Sequence, residues 1–289
     1  MRKIRAGLSL MLEDEFLQAS LPLFEDGAVD ALEWSFDVGW GAAPLPAWAE
    51  ALLHEYSGAG ALVGHGVTFS PLSGEWTGRT QWWIEQLQAE LKKRRYLHIS
   101  EHFGFMEAGD FHKCAPLPVP LTAQTIRLGR ERLRVLADIA DCPVGLENLA
   151  LALGMRDVRD QGVFLSELLE SVDGFLVLDL HNLYCQMMNF GCTAAEILST
   201  YPLARVREMH ISGGSWMEAN SARGTPIRRD THDEDVPEAV FTLLAEVLPQ
   251  CPATEVVVFE RLGHSLADPA THEGMRNDFL RMKSILSAS

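Results

Sequence analysis

FLVLDLHN, residues 175–182, decides the reading of the fold. Its first residues are apolar without alternation, the pattern of a parallel strand covered on both faces; a half-exposed strand would alternate. Where the apolar run stops, a carboxylate, an imidazole and an amide follow as Asp179, His181 and Asn182. Outward from this stretch the same form recurs. EVVVFE at 255–260 is apolar until Glu260, and VGLEN at 144–148 until Glu147 and Asn148. Strands are predicted at Ile4–Met11, Val29–Trp34, Ala61–Val67, Tyr96–Ser100, Val144–Leu146, Phe175–Leu178, Val206–Ile211 and Glu255–Phe259. Helical periodicity falls between them, at Ala47–Tyr56, Thr80–Lys93, Ala123–Ile139, Val163–Leu169, Ala194–Tyr201, Pro237–Leu248 and His272–Leu286. Eight βα units of about 36 residues each predict one (β/α)8 TIM barrel, a single domain over residues 1–289. A doubly wound open sheet is the rival, weakened because the first βα turn lacks GxGxxG.

Composition narrows the partners. Hydrophobic residues at 47% suffice for a large core, and the formal charge of −16 opposes nucleic acid, whose phosphates need clustered Lys and Arg. Five cysteines (Cys114, Cys142, Cys185, Cys192, Cys251), odd in number and without CxxC, point to a reducing compartment. The basic start at Arg2, Lys3 and Arg5 precedes an apolar stretch that Glu13, Asp14 and Glu15 cut short, so neither a signal peptide nor a membrane span is expected. The chain is read as cytoplasmic. Arg207, Arg223, Arg228 and Arg229, with Gly213, Gly214 and Gly224, mark the long loop after strand seven as either a solvated basic loop or a mobile lid over an acidic substrate. Cys185 and Cys192 are read as core or loop thiols.

The strand ends carry the chemistry. They read Glu33; His65; Glu101 and His102; Glu147 and Asn148; Asp179, His181 and Asn182; His210 with Asp230 and His232 in the following loop; and Glu260. In a barrel these positions surround one mouth, where active sites of this fold are built. Carboxylates converging in a dry cavity repel one another unless cations neutralise them, and imidazole with carboxylate and no obligatory thiolate suits iron, manganese or zinc. More ligands than four predict two or three metals, with Glu147 placed to bridge.

Eight strings, in order, resemble the multinuclear non-heme iron-dependent oxidative enzymes, the MNIO family. They are HGVTFS at 65–70, SEHFGF at 100–105, PLPVPLT at 116–122, GLENLA at 145–150, DLHNLY at 179–184, REMHISGG at 207–214, DTHDEDVPEAV at 230–240 and FERL at 259–262. The resemblance implies a xylose-isomerase-like barrel holding two or three iron ions, mixed Fe(II)/Fe(III) in the active form. It also implies O2-dependent oxidation of residues, often cysteine, in a ribosomally made peptide, and a small partner protein that recruits that peptide. Carried over by matching strings, the implied metal ligands are His65, His102, Glu147, Asp179, His210, Asp230, His232 and Glu260. Glu101, Asn148 and His181 are expected beside them as catalytic groups, orienting ligands or joining them. Two departures stand out: His181 where members often have Asn, and Arg261-Leu262 where an acidic residue often follows. The rival functions are a divalent-metal sugar isomerase or epimerase, a three-zinc hydrolase resembling endonuclease IV, and a metal-binding partner protein without turnover.

Overall fold

The computed structural model describes residues 3–41, 44–218 and 224–288, with only the backbone at positions 112–115. Arg223 therefore lies outside the described residues, and so does the side chain of Cys114. Eight parallel strands close a barrel: β1 (Arg5–Ser9), β2 (Ala31–Trp34), β3 (Leu62–Gly66), β4 (Ile99–His102), β5 (Val144–Glu147), β6 (Phe175–Asp179), β7 (Val206–Ser212) and β8 (Val256–Glu260). Each pairs with its sequence neighbours, and β8 pairs with β1. The predicted TIM barrel is the observed fold.

The helices are α1 (Asp14–Glu25), α2 (Ala47–Gly58), α3 (Gly78–Lys93), α4 (Ala123–Ile139), α5 (Met155–Leu169), α6 (Leu180–Phe190), α7 (Ala194–Leu198), α8 (Glu238–Val247) and α9 (Ala270–Ala288). Their starts are written locally. Thr77, Thr122 and Thr193 cap α3, α4 and α7, each hydroxyl accepting from the backbone three residues on. PLPVPLT is thus an extended, proline-fixed approach that Thr122 converts into α4. The carboxylate of Asp157 takes the backbone N–H groups of Leu153 and Gly154, so α5 begins eight residues before the expected Val163. α7 stops at Leu198, short of the expected Tyr201, where Pro202 bars continuation.

Periodicity alone marks neither α1 nor α6. α1 buries Phe16, Ala19, Ser20 and Leu23, with Pro22 inside it. α6 begins at the residue after β6, because the Asp179 side chain accepts from the Asn182 backbone N–H and caps it. His181 and Asn182 are therefore on a first helical turn rather than on a loop. Two antiparallel hairpins also stand on the mouth face: Phe105–Ala108 with Phe111–Leu117 after β4, and Trp216–Met217 with Ile227–Arg228 after β7.

The main core lies between strands and helices, with Leu8, Leu32, Leu53, Leu87, Leu165 and Phe279 fully buried. Each such leucine contributes about 1.5–3 kcal/mol of burial. Inside the barrel a small apolar cluster of Ala31, Val63, Val256 and Val258 forms the floor. Above and beside it the interior turns polar. Among the described residues no helix is long and apolar enough to cross a membrane.

Candidate metal centre

An inward-facing residue at or near the end of each strand from β3 to β8 is a potential ligand. His65 is one residue before the end of β3, and His102 and Glu147 are the last residues of β4 and β5. Asp179 and Glu260 close β6 and β8, while His210 is two residues from the end of β7. His232 comes from the loop after the second hairpin, held at φ +50°, a left-handed conformation rare for a residue with a Cβ.

These side chains form four overlapping triads whose donor atoms lie within 4.8 Å of one another: His65, His102 and Glu147; Glu147, Asp179 and His210; Asp179, His232 and Glu260; and Glu33, His210 and Glu260. Glu147, Asp179, His210 and Glu260 each serve two triads. Sharing of this kind is what carboxylate-bridged metals require. Glu147 Oε2 lies 3.2 Å from both His65 Nε2 and His102 Nε2. His210 Nδ1 lies 3.6 Å from Glu147 and 3.4 Å from Glu260, and His232 Nε2 lies 2.8 Å from Asp230. Glu147 Oε2, Asp179 Oδ2, His210 Nδ1, His232 Nε2 and Glu260 Oε2 are buried without a regular hydrogen bond, and the close contacts they have are with one another's carboxylates and imidazoles. So many buried donors facing one another are costly unless something else holds them, and cations fit this donor set.

The electrostatics agree. Burial alone would depress His65, but the hydrogen bond and charge of Glu147 outweigh it and raise the imidazole to about 9. Burial opposes charge on His210 and His232 too, yet facing carboxylates hold both well above the ordinary range. His102 goes the other way, because desolvation beats the pull of Glu147. Burial would lift Glu147, and His102, His210 and His65 instead bring it well below the usual carboxylate range. Asp179 is raised well above it by burial and by Asp230, Glu147 and Glu260. The metal-free site therefore stores protons on imidazoles and on Asp179, and a cation would displace them.

A family model described as "RiPP precursor modification enzyme MbnB/TglH/ChrH" matches residues 44–267, most of the chain and nearly every strand end described above. The chain belongs to that family. The MbnB/TglH/ChrH relatives include a "UPF0276 protein" of Caulobacter vibrioides, 27% identical over 229 residues, covering 79% of this chain and 76% of that one. Another, from Shewanella loihica, is 29% identical over 190 residues, 66% of this chain and 64% of its own. Among solved structures, the IOLI protein with a bound zinc atom aligns at TM-score 0.62 and 15% identity over 99% of both chains. D-Psicose 3-epimerase from Clostridium cellulolyticum H10 aligns at 0.57 and 13%, over 98% of this chain and 99% of its own. At these identities the structures speak for the xylose-isomerase-like fold alone.

Seven of the eight ligands implied by MbnB/TglH/ChrH resemblance fall in the triads. Asp230 stands beside them, its Oδ1 engaged by His232 and, at 3.1 Å, by His181 Nδ1. His181 enters no triad. Its Nε2 faces Arg228 Nη2 at 3.3 Å, so both ring nitrogens are occupied and the imidazole orients Asp230. Asn148 clamps the Asp179 backbone, accepting its N–H at 2.7 Å and donating to its carbonyl at 3.1 Å. Glu101 lies on the other face of β4 from His102, against Gly66, where a Cβ would stand 2.0 Å from its Oε1. Burial, then Asp37, raises its carboxyl well above the ordinary range.

Asp37 and Arg228 escaped the strand-end reading of the MbnB/TglH/ChrH site, and Asn182 and Glu33, read there as strand-end residues, were given no ligand or orienting role. Asn182 donates to Glu147 Oε1 at 3.3 Å. Asp37 accepts from Val67, Thr68 and Trp83 and pins the loop that follows His65. Arg228, read as a loop arginine, is buried, with its guanidinium 5.5 Å from the rings of Tyr184 and Trp216. Glu33 was visible as a strand end, yet its place beside His210 was not. Gly214, in the segment read as either a solvated loop or a lid, permits close packing: a Cβ there would meet the Arg229 carbonyl at 2.3 Å. Cys185 is a buried thiol pushed up by burial, in keeping with a core role.

Proposed function

We propose that this protein is a multinuclear non-heme iron-dependent, O2-using oxidase that modifies residues, cysteine foremost, of a ribosomally made peptide, with a small partner protein presenting that peptide. The observation that carries the reading is the run of triads sharing Glu147 and Asp179. His65, His102, Glu147, Asp179, His210, Asp230, His232 and Glu260 would hold two or three irons. Iron there supplies the one-electron chemistry with O2 that side chains lack. The chain's own residues do the rest. Glu147 and Asp179 fix the spacing between neighbouring metal positions. Asn148 and Asn182 hold those two carboxylates in place, and His181 with Arg228 holds Asp230. Glu101, on the other face of β4, accepts the His102 backbone N–H and steadies the strand end that carries His102. The barrel wall and apolar floor limit water below the ligands.

The test is anaerobic purification followed by elemental analysis, absorption spectra before and after admitting air, and O2 uptake with a cysteine-containing peptide. Two or more irons per chain with an O2-responsive spectrum are expected. Stoichiometric zinc or manganese with no O2 response, after iron has been offered, would move the assignment to an isomerase, epimerase or hydrolase on the same barrel. Of these, the nuclease agrees least with a charge of −16.

A further inference from the structure

Below the ligands, ionisable groups from β2, β4 and β7 meet across the barrel interior. His98, immediately before β4, faces Glu208 of β7 with Nε2 2.6 Å from Oε2. The other oxygen of Glu208 lies 3.4 Å from His210 Nε2, and Glu33 Oε2 approaches the same nitrogen at 3.1 Å. All four residues have no exposed surface. The connection follows from strand periodicity: Glu208 and His210 are two residues apart on β7 and share its inward face.

An imidazole carrying one proton offers one donor and one lone pair. His210 Nε2, flanked by two carboxylates, has every reason to carry the hydrogen. Nδ1 then turns its lone pair toward Glu147 and Glu260, where it has no hydrogen-bond partner. We propose that His98, Glu208 and His210 form a buried strut, in which Glu208 fixes the tautomer and orientation of His210 for metal binding and His98 fixes Glu208. Glu33 closes the other side of the same nitrogen. His98, Glu208 and Glu33 are positioning residues. The strut rests on the reading of His210 as a ligand. His65 provides the contrast, since its outer nitrogen Nδ1 rests 2.8 Å from the Ser100 hydroxyl. A carboxylate partner makes an imidazole a stronger donor than a hydroxyl does, so the metals at His210 and His65 sit on unequal ligands.

The experiment is chelator competition with Zn(II) on the metal-free protein, paired with absorption spectra of the Co(II)-loaded protein. Glu208→Gln is expected to weaken binding at the His210 position by about 10- to 100-fold. His98→Gln is expected to weaken it in the same direction although His98 touches no ligand, and both variants should shift the Co(II) bands. Ser100→Ala is the control for the other histidine and should leave the bands of the His210 position in place. If Glu208→Gln fails to fold by circular dichroism, His98→Gln carries the test, because it leaves Glu208 in position. Affinity within twofold of wild type and unchanged Co(II) bands in folded His98→Gln would overturn the strut alone. A wild-type protein that binds neither Zn(II) nor Co(II) would overturn the strut together with the metal-centre reading beneath it.

Discussion

A proton and a divalent cation compete for the same place between His65 and Glu147. In the metal-free protein the imidazole titrates at about 9, so below that pH a metal must expel a proton to bind. Apparent affinity should therefore climb with pH, by up to about tenfold per unit for each proton released, and level off above about 9. Chelator competition across that range measures it; a flat profile would remove His65 from the ligand set. The same raised value contributes to stability of the metal-free fold. That contribution is fully present below the ordinary 6.5 and is lost as pH rises through about 9. Asp179 shows the opposite tension, since burial and three neighbouring carboxylates disfavour its charge. Asp179→Asn keeps an oxygen to cap α6 and removes the carboxylate. It should raise the melting temperature of the metal-free protein, by about 2–4 °C per kcal/mol gained, while lowering bound metal. A fall in both would show that Asp179 matters to the fold chiefly as an ion.

At the scale of elements, β5 and β6 are stapled at the mouth. Asn148 satisfies both backbone polar groups of Asp179, and Asn182 returns from α6 to the Asn148 carbonyl at 2.9 Å and to Glu147. Asn148→Ala would leave the buried Asp179 N–H without its acceptor. It is expected to cost about 1–3 kcal/mol in denaturant unfolding and to lower metal content as well. Loss of stability below about 1 kcal/mol would mean that the strand ends stay together without the clamp. Much of this level was legible beforehand. Unalternating apolar runs mark parallel strands, and the residue that ends each run is local information, so the barrel and the ring of candidate ligands at its mouth could be read from the chain. α6 could not, because DLHNLYCQMMNF mixes apolar and amide residues without a clear stripe and its start depends on one Asp179 side chain. Glu208 carried a usable signal, the alternation Glu208-Met209-His210 that puts it on the face of His210. Asp37 carried none, since its partners Val67, Thr68 and Trp83 are distant in sequence.

The whole molecule concentrates buried carboxylates around one mouth in a chain of net charge −16. Metals that bind only the folded state stabilise it by mass action, about 2.7 kcal/mol at a free concentration 100 times Kd. Exhaustive chelation should therefore lower the melting temperature by several degrees, and readdition of Fe(II) under argon should restore it. Scanning calorimetry on both forms decides, and equal midpoints would deny the metals any structural role. His181, with Arg228 behind it, supports Asp230 from outside the triads.

The hairpin after β4 is seated on the loop after β3 and the start of α3, where Thr77 and Arg79 also reach the Glu107 carboxylate. Ser70, itself at φ +56°, accepts the backbone N–H groups of Met106 and Glu107 through its hydroxyl, and Ser73 donates to the Glu107 carbonyl. The candidate ligands on either side, His102 and Glu147, belong to barrel strands. The hairpin is thus a cassette with a small socket. A relative's hairpin grafted between Gly104 and Pro118, with Ser70 and Ser73 kept, should leave metal loading intact while exchanging whatever the rim selects, which makes it the first segment to shuffle when the aim is a new clientele rather than a new reaction.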